Sequence, residues 1–375
     1  MENKTVGLYF SNVNHDSILE VVLKALKVMN CKVVLFMADG VSQKVYSAND
    51  ILDQAIISNK KMTSSKVIRA LNRTDFVIID QLYSFKELLS FSIYRLERPN
   101  LMLIHNCKTW FFPQYPSRLV HKLKHFMTQH IRRNIGFFAV AGENMLAYSR
   151  EELGINNIIL VPFRYCDFDP ELDVPKAMYQ KGNPVRVVVP GMISSRRNYD
   201  GLLDAICQED LKDKVELVLL GQPNGTYGNE ILIKAKFLIQ QGYKIFYWSK
   251  YIDNESFDLE IRNAHILFSY FESNYFTNNG QVEVYGVSKE TGIALLMYNK
   301  AKVGILPASF KQMKSIQNQT ITYSTLNELK DILLEVYDGS QDLNELQSNA
   351  IANALSMDIN NIVRGLDLAY QSQVN

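Results

Sequence analysis

The sequence predicts an α/β protein of two doubly wound domains facing each other across a cleft. Short β-branched runs alternate with longer amphipathic stretches in two separate series, as strands and helices of parallel sheets do. Between the series lies VPFRYCDFDPELDVPKAMYQKGNP, which carries four prolines, many charges and no period. The chain has 375 residues, enough for two such domains, and its 47% hydrophobic content suits apolar cores.

In the first series, Thr5 to Phe10, Lys32 to Met37, Phe76 to Asp80, Leu101 to His105 and Phe137 to Ala141 read as buried strands. After the first, Ile18, Val21, Val22, Ala25 and Met29 repeat at helical spacing. The second series gives strands at Val185 to Val189, Glu216 to Leu220, Lys244 to Trp248, Ile266 to Tyr270, Val303 to Leu306 and Ile321 to Tyr323. The expected division is a first domain over 1–165, a linker over 166–184 and a second domain over 185–350. A helix over 351–375, its core Ile351 to Tyr370, is expected to pack back on the first domain.

A formal charge of +1 gives no global field for nucleic acid or a polyanion. Cys31, Cys107, Cys166 and Cys207 are scattered without paired spacing, which argues against a zinc knuckle or disulfide framework and for a reducing, cytoplasmic setting. No run approaches the roughly 18–20 apolar residues that span a bilayer. No paired-aspartate motif marks a metal site, so no metal and no cofactor are expected.

The most informative stretch is VRVVVPGMISSRRNYDGLLDAI. A buried strand runs into Gly191, which permits a tight turn near a ligand. Arg196 and Arg197 then set two permanent cations beside the strand end, suited to a diphosphate. Capping of a solvated loop is the alternative. In VEVYGVSKETGIALLMY, the polar residues Ser288, Lys289, Glu290 and Thr291 with Gly292 lead into an apolar helix, whose first amides suit an anion. An ordinary N-cap is the alternative there.

This succession, with LVLLGQPNG, KIFYWSKYIDNESF and AHILFSYFESN between, resembles the donor-binding domain of GT-B glycosyltransferases, whose two domains are Rossmann-like. It is most similar to the family-4 group and its bacterial polysaccharide-assembling relatives. The resemblance implies a nucleotide-diphosphate-sugar donor, with Arg197, helped by Arg196, on the diphosphate. It implies that Gly221, Ser249, Lys250 and Tyr251 line the nucleoside, and that Glu290 takes the ribose. It implies a catalytic role near the transferred sugar for Glu283 and for His105, which ends the strand LMLIH. The family's two glutamates are separated by seven residues; six separate Glu283 from Glu290 here, which leaves the role of each open.

The first β–α loop lacks the glycines many members carry there, and offers Asn12, His15 and Asp16, with Asn106 beside His105, as acceptor-side candidates. A carboxylate or imidazole there suits a general base, and a helix cap is the alternative. In WFFPQYPSRLVHKLKHFMTQHIRRN, the aromatics Trp110, Phe111, Phe112 and Tyr115 precede an amphipathic helix. Its apolar side holds Leu119, Val120, Leu123, Phe126, Met127 and Ile131, and Arg118, Lys122, Lys124, Arg132 and Arg133 supply charge. Peripheral contact of 110–133 with an anionic membrane is one expectation, and a core-packed helix with a solvated basic face is the other.

The resemblance thus implies a retaining hexosyltransferase of bacterial polysaccharide or glycoconjugate assembly, acting on a glycan or lipid-linked acceptor at the inner face of the membrane. A nucleotide-sugar 2-epimerase-like enzyme and a non-catalytic GT-B-fold binding subunit are the alternatives.

Overall fold

The computed structural model describes residues 1–12, 16–38, 54–58, 65–113, 119–162, 166, 169, 178–277 and 280–374. Contacts divide the chain into two units. The first comprises Met1–Tyr165, Asn274–Glu290 and Asp358–Asn375, and the second Cys166–Ser273 and Thr291–Met357.

The first unit is built on seven parallel strands in the order β3-β2-β1-β4-β5-β6-β7. They are β1 Thr5–Phe10, β2 Lys32–Ala38, β3 Gln54–Ser58, β4 Phe76–Ile79, β5 Asn100–Ile104, β6 Phe137–Val140 and β7 Ile158–Leu160. Its helices are α1 Asp16–Val28, α2 Ser65–Leu71, α3 Phe85–Ile93, α4 Cys107–Phe111, α5 Leu119–Arg132 and α6 Glu143–Glu151. Alternate strand residues fill two cores. Val6, Leu8, Phe10, Phe76 and Leu103 pack with α1 on one face, and Tyr9, Val77, Ile79 and Met102 pack with α3 and α5 on the other.

The second unit has six parallel strands in the order β10-β9-β8-β11-β14-β15. They are β8 Val185–Pro190, β9 Val215–Leu220, β10 Lys244–Tyr247, β11 Ile266–Phe268, β14 Val303–Pro307 and β15 Thr320–Tyr323. Around them run α7 Tyr199–Ile206, α8 Gly225–Gln240, α9 Asn254–Arg262, α10 Gly292–Asn299, α11 Glu328–Asp338 and α12 Leu343–Leu355. In both sheets the strand order reverses beside the first strand of the unit, where doubly wound sheets take ligands at their carboxyl ends.

Besides the two end strands β3 and β7, which the sequence expectation did not include, three features differ from it. The antiparallel hairpin β12 Asn274–Phe276 and β13 Val282–Val284, with the turn that follows, clusters with the first unit although it interrupts the second series. The single helix expected over Ile351 to Tyr370 is two helices, α12 and α13 Ile359–Val374, which belong to different units. Asp358 causes the break: its carboxylate accepts the Asn360 N–H at 3.3 Å, an N-terminal cap for a new helix. Most of the expected linker, 167–168 and 170–177, lies outside the described residues, while Tyr179 is buried in the second core.

Candidate functional site

In the first unit the carboxyl ends of β4 and β5 lie side by side. Asp80 follows β4 and is buried, and its Oδ1 stands 2.7 Å from Nε2 of His105, which follows β5. An ionised carboxylate only accepts, so beside it the imidazole carries its proton on Nε2 and donates it to Asp80. Gln81 sets the backbone: its Oε1 accepts the N–H groups of His105 at 2.8 Å and Asn106 at 3.1 Å. Asp80 and Gln81 are absent from the sequence-level candidates. The signal for Asp80 is its place one residue past FVII, equivalent to that of His105 past NLMLI.

The hairpin fastens the loop after His105. Glu283 Oε1 accepts the Thr109 N–H at 2.6 Å and Oε2 the Lys108 N–H at 3.3 Å. Gln281 Nε2 donates to the carbonyls of Lys108 and Phe112, at 3.3 and 2.9 Å. Lys289 Nζ donates to Asn106 Oδ1 at 2.7 Å and stands 4.8 Å from the centre of the Tyr275 ring.

This placement corrects two expectations. Glu283 has no exposed surface, and its carboxylate serves the opening amides of α4 instead of facing the transferred sugar. Charge-assisted bonds of this kind contribute about 1.5–3 kcal/mol each. Ser288 is not at the amide end of α10, which starts at Gly292. It is buried in the hairpin turn, its Oγ accepting the Val284 N–H at 2.9 Å and its carbonyl the Cys107 N–H at 2.9 Å. Lys289 and the half-buried Glu290 share that turn, whereas Thr291 and Gly292 open the second unit's α10.

Burial and then the Glu283 charge push the Cys107 thiol up to about 12, against the lowering effect of the Ser149 hydroxyl. Cys107 is therefore a protonated core residue at neutral pH and no nucleophile. Asn12 follows β1 at the same edge and is partly buried. Asp16 opens α1, and His15 lies outside the described residues.

In the second unit the carboxyl ends of β8, β9 and β10 carry the remaining candidates. Gly191 takes φ +103°, a conformation closed to most side chains. A Cβ on Gly221 would lie 2.0 Å from the Gly191 carbonyl oxygen, so the two glycine turns stack backbone on backbone. Arg197 folds beside them, donating through Nη1 to the Pro190 carbonyl at 2.5 Å. Tyr199 donates its hydroxyl to the Gly191 carbonyl at 3.3 Å, and Tyr227 to the Arg197 carbonyl at 3.1 Å. Sequence reasoning missed both tyrosines. Arg196 is exposed at this edge, and Ser249, Lys250 and Tyr251 form the exposed loop after β10. The edge therefore offers an anion two guanidinium groups beside a pair of close-packed glycine turns.

Among the described residues no group of three or more His, Cys, Asp and Glu could hold a metal ion. No helix among them is long and apolar enough to cross a membrane.

No family model and no curated protein matches the chain. Solved structures do. A glycosyltransferase from Rickettsia africae superposes with a TM-score of 0.66 at 14% identity, over 100% of this chain and 99% of that one. HepE from Anabaena, in complex with UDP, gives 0.68 at 13% identity over 99% and 100%. A UDP-forming α,α-trehalose-phosphate synthase from Burkholderia vietnamiensis gives 0.59 at 10% identity over 99% and 100%. The two reversing parallel sheets and these superpositions together establish that the chain has the fold of GT-B glycosyltransferases, with two Rossmann-like units.

Proposed function

We propose that the protein is a glycosyltransferase that takes a nucleotide-diphosphate sugar and passes a hexosyl group, with retention, to a glycan or lipid-linked acceptor. The observation that carries this reading is the stacked pair of glycine turns flanked by Arg197 at the carboxyl edge of the second sheet. That edge suits a diphosphate, which Arg196, Arg197 and the amides at Thr291 and Gly292 would neutralise without a metal. Ser249, Lys250 and Tyr251 are candidates for the nucleoside. UDP and UDP-glucose are the ligands in HepE structures and suggest the first donor to test.

The first unit supplies His105, oriented by Asp80, and Asn106 for the sugar and its acceptor. In the reaction the bond from the anomeric carbon to the phosphate oxygen breaks, the acceptor oxygen takes its place, and the acceptor proton leaves with the diphosphate. Stabilising the leaving diphosphate is the largest demand, and fixed cations in a pre-formed turn meet it. The setting this reading gives is polysaccharide or glycoconjugate assembly.

Thermal unfolding tests it. UDP or UDP-glucose at about 100 times its Kd adds about 2.7 kcal/mol and raises Tm, and Arg197→Ala removes the shift. A wild-type protein indifferent to every nucleotide sugar overturns the reading. A second reading is a non-catalytic binding subunit, favoured by the enclosure of Glu283. It is distinguished by nucleotide binding that never leads to transfer with any acceptor.

A further inference from the structure

Arg196 and Arg197 stand on the loop between β8 and α7, outside any strand or helix, so whatever fixes this loop also aims its cations. The first half of the loop leans on the neighbouring glycine turn. Ile193 donates its N–H to the Gln222 carbonyl at 3.0 Å and accepts the Asn224 N–H at 2.9 Å. The second half turns sharply at Asn198, whose φ of −78° and ψ of 73° make an inverse γ-turn. The Tyr199 N–H closes that turn on the Arg197 carbonyl at 2.9 Å. So small a ring bends its hydrogen bond away from the linear geometry in which such bonds are strong.

A side chain from another helix reinforces the turn. Tyr227, in the first turn of α8, accepts the Tyr199 N–H through its hydroxyl at 3.0 Å and donates to the Arg197 carbonyl at 3.1 Å. One hydroxyl, donor and acceptor at once, thus joins both ends of the γ-turn. Arg197 is then held at two points, its carbonyl by Tyr227 and its guanidinium by the Pro190 carbonyl. The guanidinium nitrogens rest 3.1 Å from where a Cβ on Gly191 would stand. The ring of Tyr227 packs against the second core, a task that phenylalanine would do equally. The hydroxyl serves the two backbone groups on either side of Asn198.

We propose that Tyr227 is a positioning residue for the donor diphosphate: its hydroxyl clips the turn that carries Arg197 and sets the aim of the cations before the ligand arrives. This rests on the donor reading given above. Cations fixed in advance need no ordering of their loop on binding, which favours a compact anion over the flexible alternative. The nucleoside, which that reading gives to the loop after β10, does not depend on the clip.

Calorimetric titration of the full chain decides the matter, with the nucleoside diphosphate that binds (UDP first, then GDP and ADP) set beside its own nucleoside. Tyr227→Phe keeps the ring in the core and weakens the diphosphate about three- to tenfold, as loss of one hydrogen-bonding group does. The nucleoside binds the variant as it binds the wild type. Equal weakening of both ligands would mean a general disturbance of the unit, and overturns the proposal. Diphosphate affinity unchanged in Tyr227→Phe overturns it as well, while leaving the donor reading intact. A wild-type protein that binds none of the three diphosphates removes the donor reading itself, and this proposal falls with it.

Discussion

The two sheets share one strand order, yet their carboxyl edges carry opposite chemistry. The first places Asp80, Gln81 and His105 at adjacent strand ends, with the carboxylate buried against the imidazole. The second places Gly191 and Gly221 there, with two arginines alongside. One edge is made of positioned side chains and the other of close-packed glycine turns and cations. A common scaffold thus supports different tasks, because in this topology the loops at one edge vary while the strands keep the core.

The largest effect expected from breaking this division is at His105. His105→Ala lowers kcat by about 100- to 1,000-fold, while the UDP-induced rise in Tm persists. Asp80→Asn follows in the same direction with a smaller loss, since its amide oxygen still accepts from Nε2. Steady-state kinetics beside calorimetric nucleotide binding separates the edges, and loss of both properties together would erase the distinction.

Gly221→Ala is the converse change. Its methyl carbon meets the Gly191 carbonyl oxygen at 2.0 Å, so the turns must part. A cost of about 3–4 kcal/mol in urea unfolding is expected, with nucleotide binding abolished. An alanine variant that binds UDP normally would show that the stacked turns are not the donor platform.

A smaller effect probes the opposite edge of the second sheet. His265 accepts the Arg186 N–H through Nδ1 at 2.9 Å. Burial, then the Lys302 and Arg186 charges, lower its pKa from 6.5 to about 4. The unfolded chain therefore binds a proton that the folded chain refuses between those values. Stability present above pH 6.5 falls as pH drops, and the loss levels off near pH 4, where the folded imidazole also protonates. The loss is about 2–3 kcal/mol, and His265→Gln flattens it. Urea midpoints across this interval check the slope, and an unchanged slope in the variant assigns the acid sensitivity elsewhere.

The central strands of both sheets were legible because parallel strands buried on both faces are continuous apolar runs, as VRVVVP and VELVLL are, whereas the short end strands β3 and β7 of the first sheet were missed. Gly191 and Arg197 were legible for a similar reason: turn, cation and helix follow one another in sequence. Asp80 was harder, because its partner lies 25 residues away and meets it only through the pairing of β4 with β5. Glu283 was not legible at all. Its ligands are backbone amides 174 and 175 residues distant, and amides leave no mark in a sequence. For α5 the periodicity finds an apolar stripe without saying which part of it meets the core: Met127 and Ile131 are buried, while Leu123 and Phe126 are exposed. Tyr115 and Arg118, ahead of it, lie outside the described residues. The break at Asp358 had a local signal, an Asp–Ile–Asn–Asn start inside an otherwise helical pattern.

The last helix has a consequence for how the chain is made. Ile362, Leu366, Ala369 and Tyr370 of α13 close the same core as Val6, Leu8 and Phe76. Gln373 completes the start of β5, its side-chain amide accepting the Asn100 N–H at 3.0 Å and donating to the Asn100 carbonyl at 3.1 Å. During synthesis the first unit therefore emerges without its lid, and the part of this core that α13 closes beside α1 stays open while the whole second unit is translated. The unit begun first is finished last, so a ribosome stalled before residue 359 holds an incomplete domain with apolar surface exposed, a natural client for chaperones.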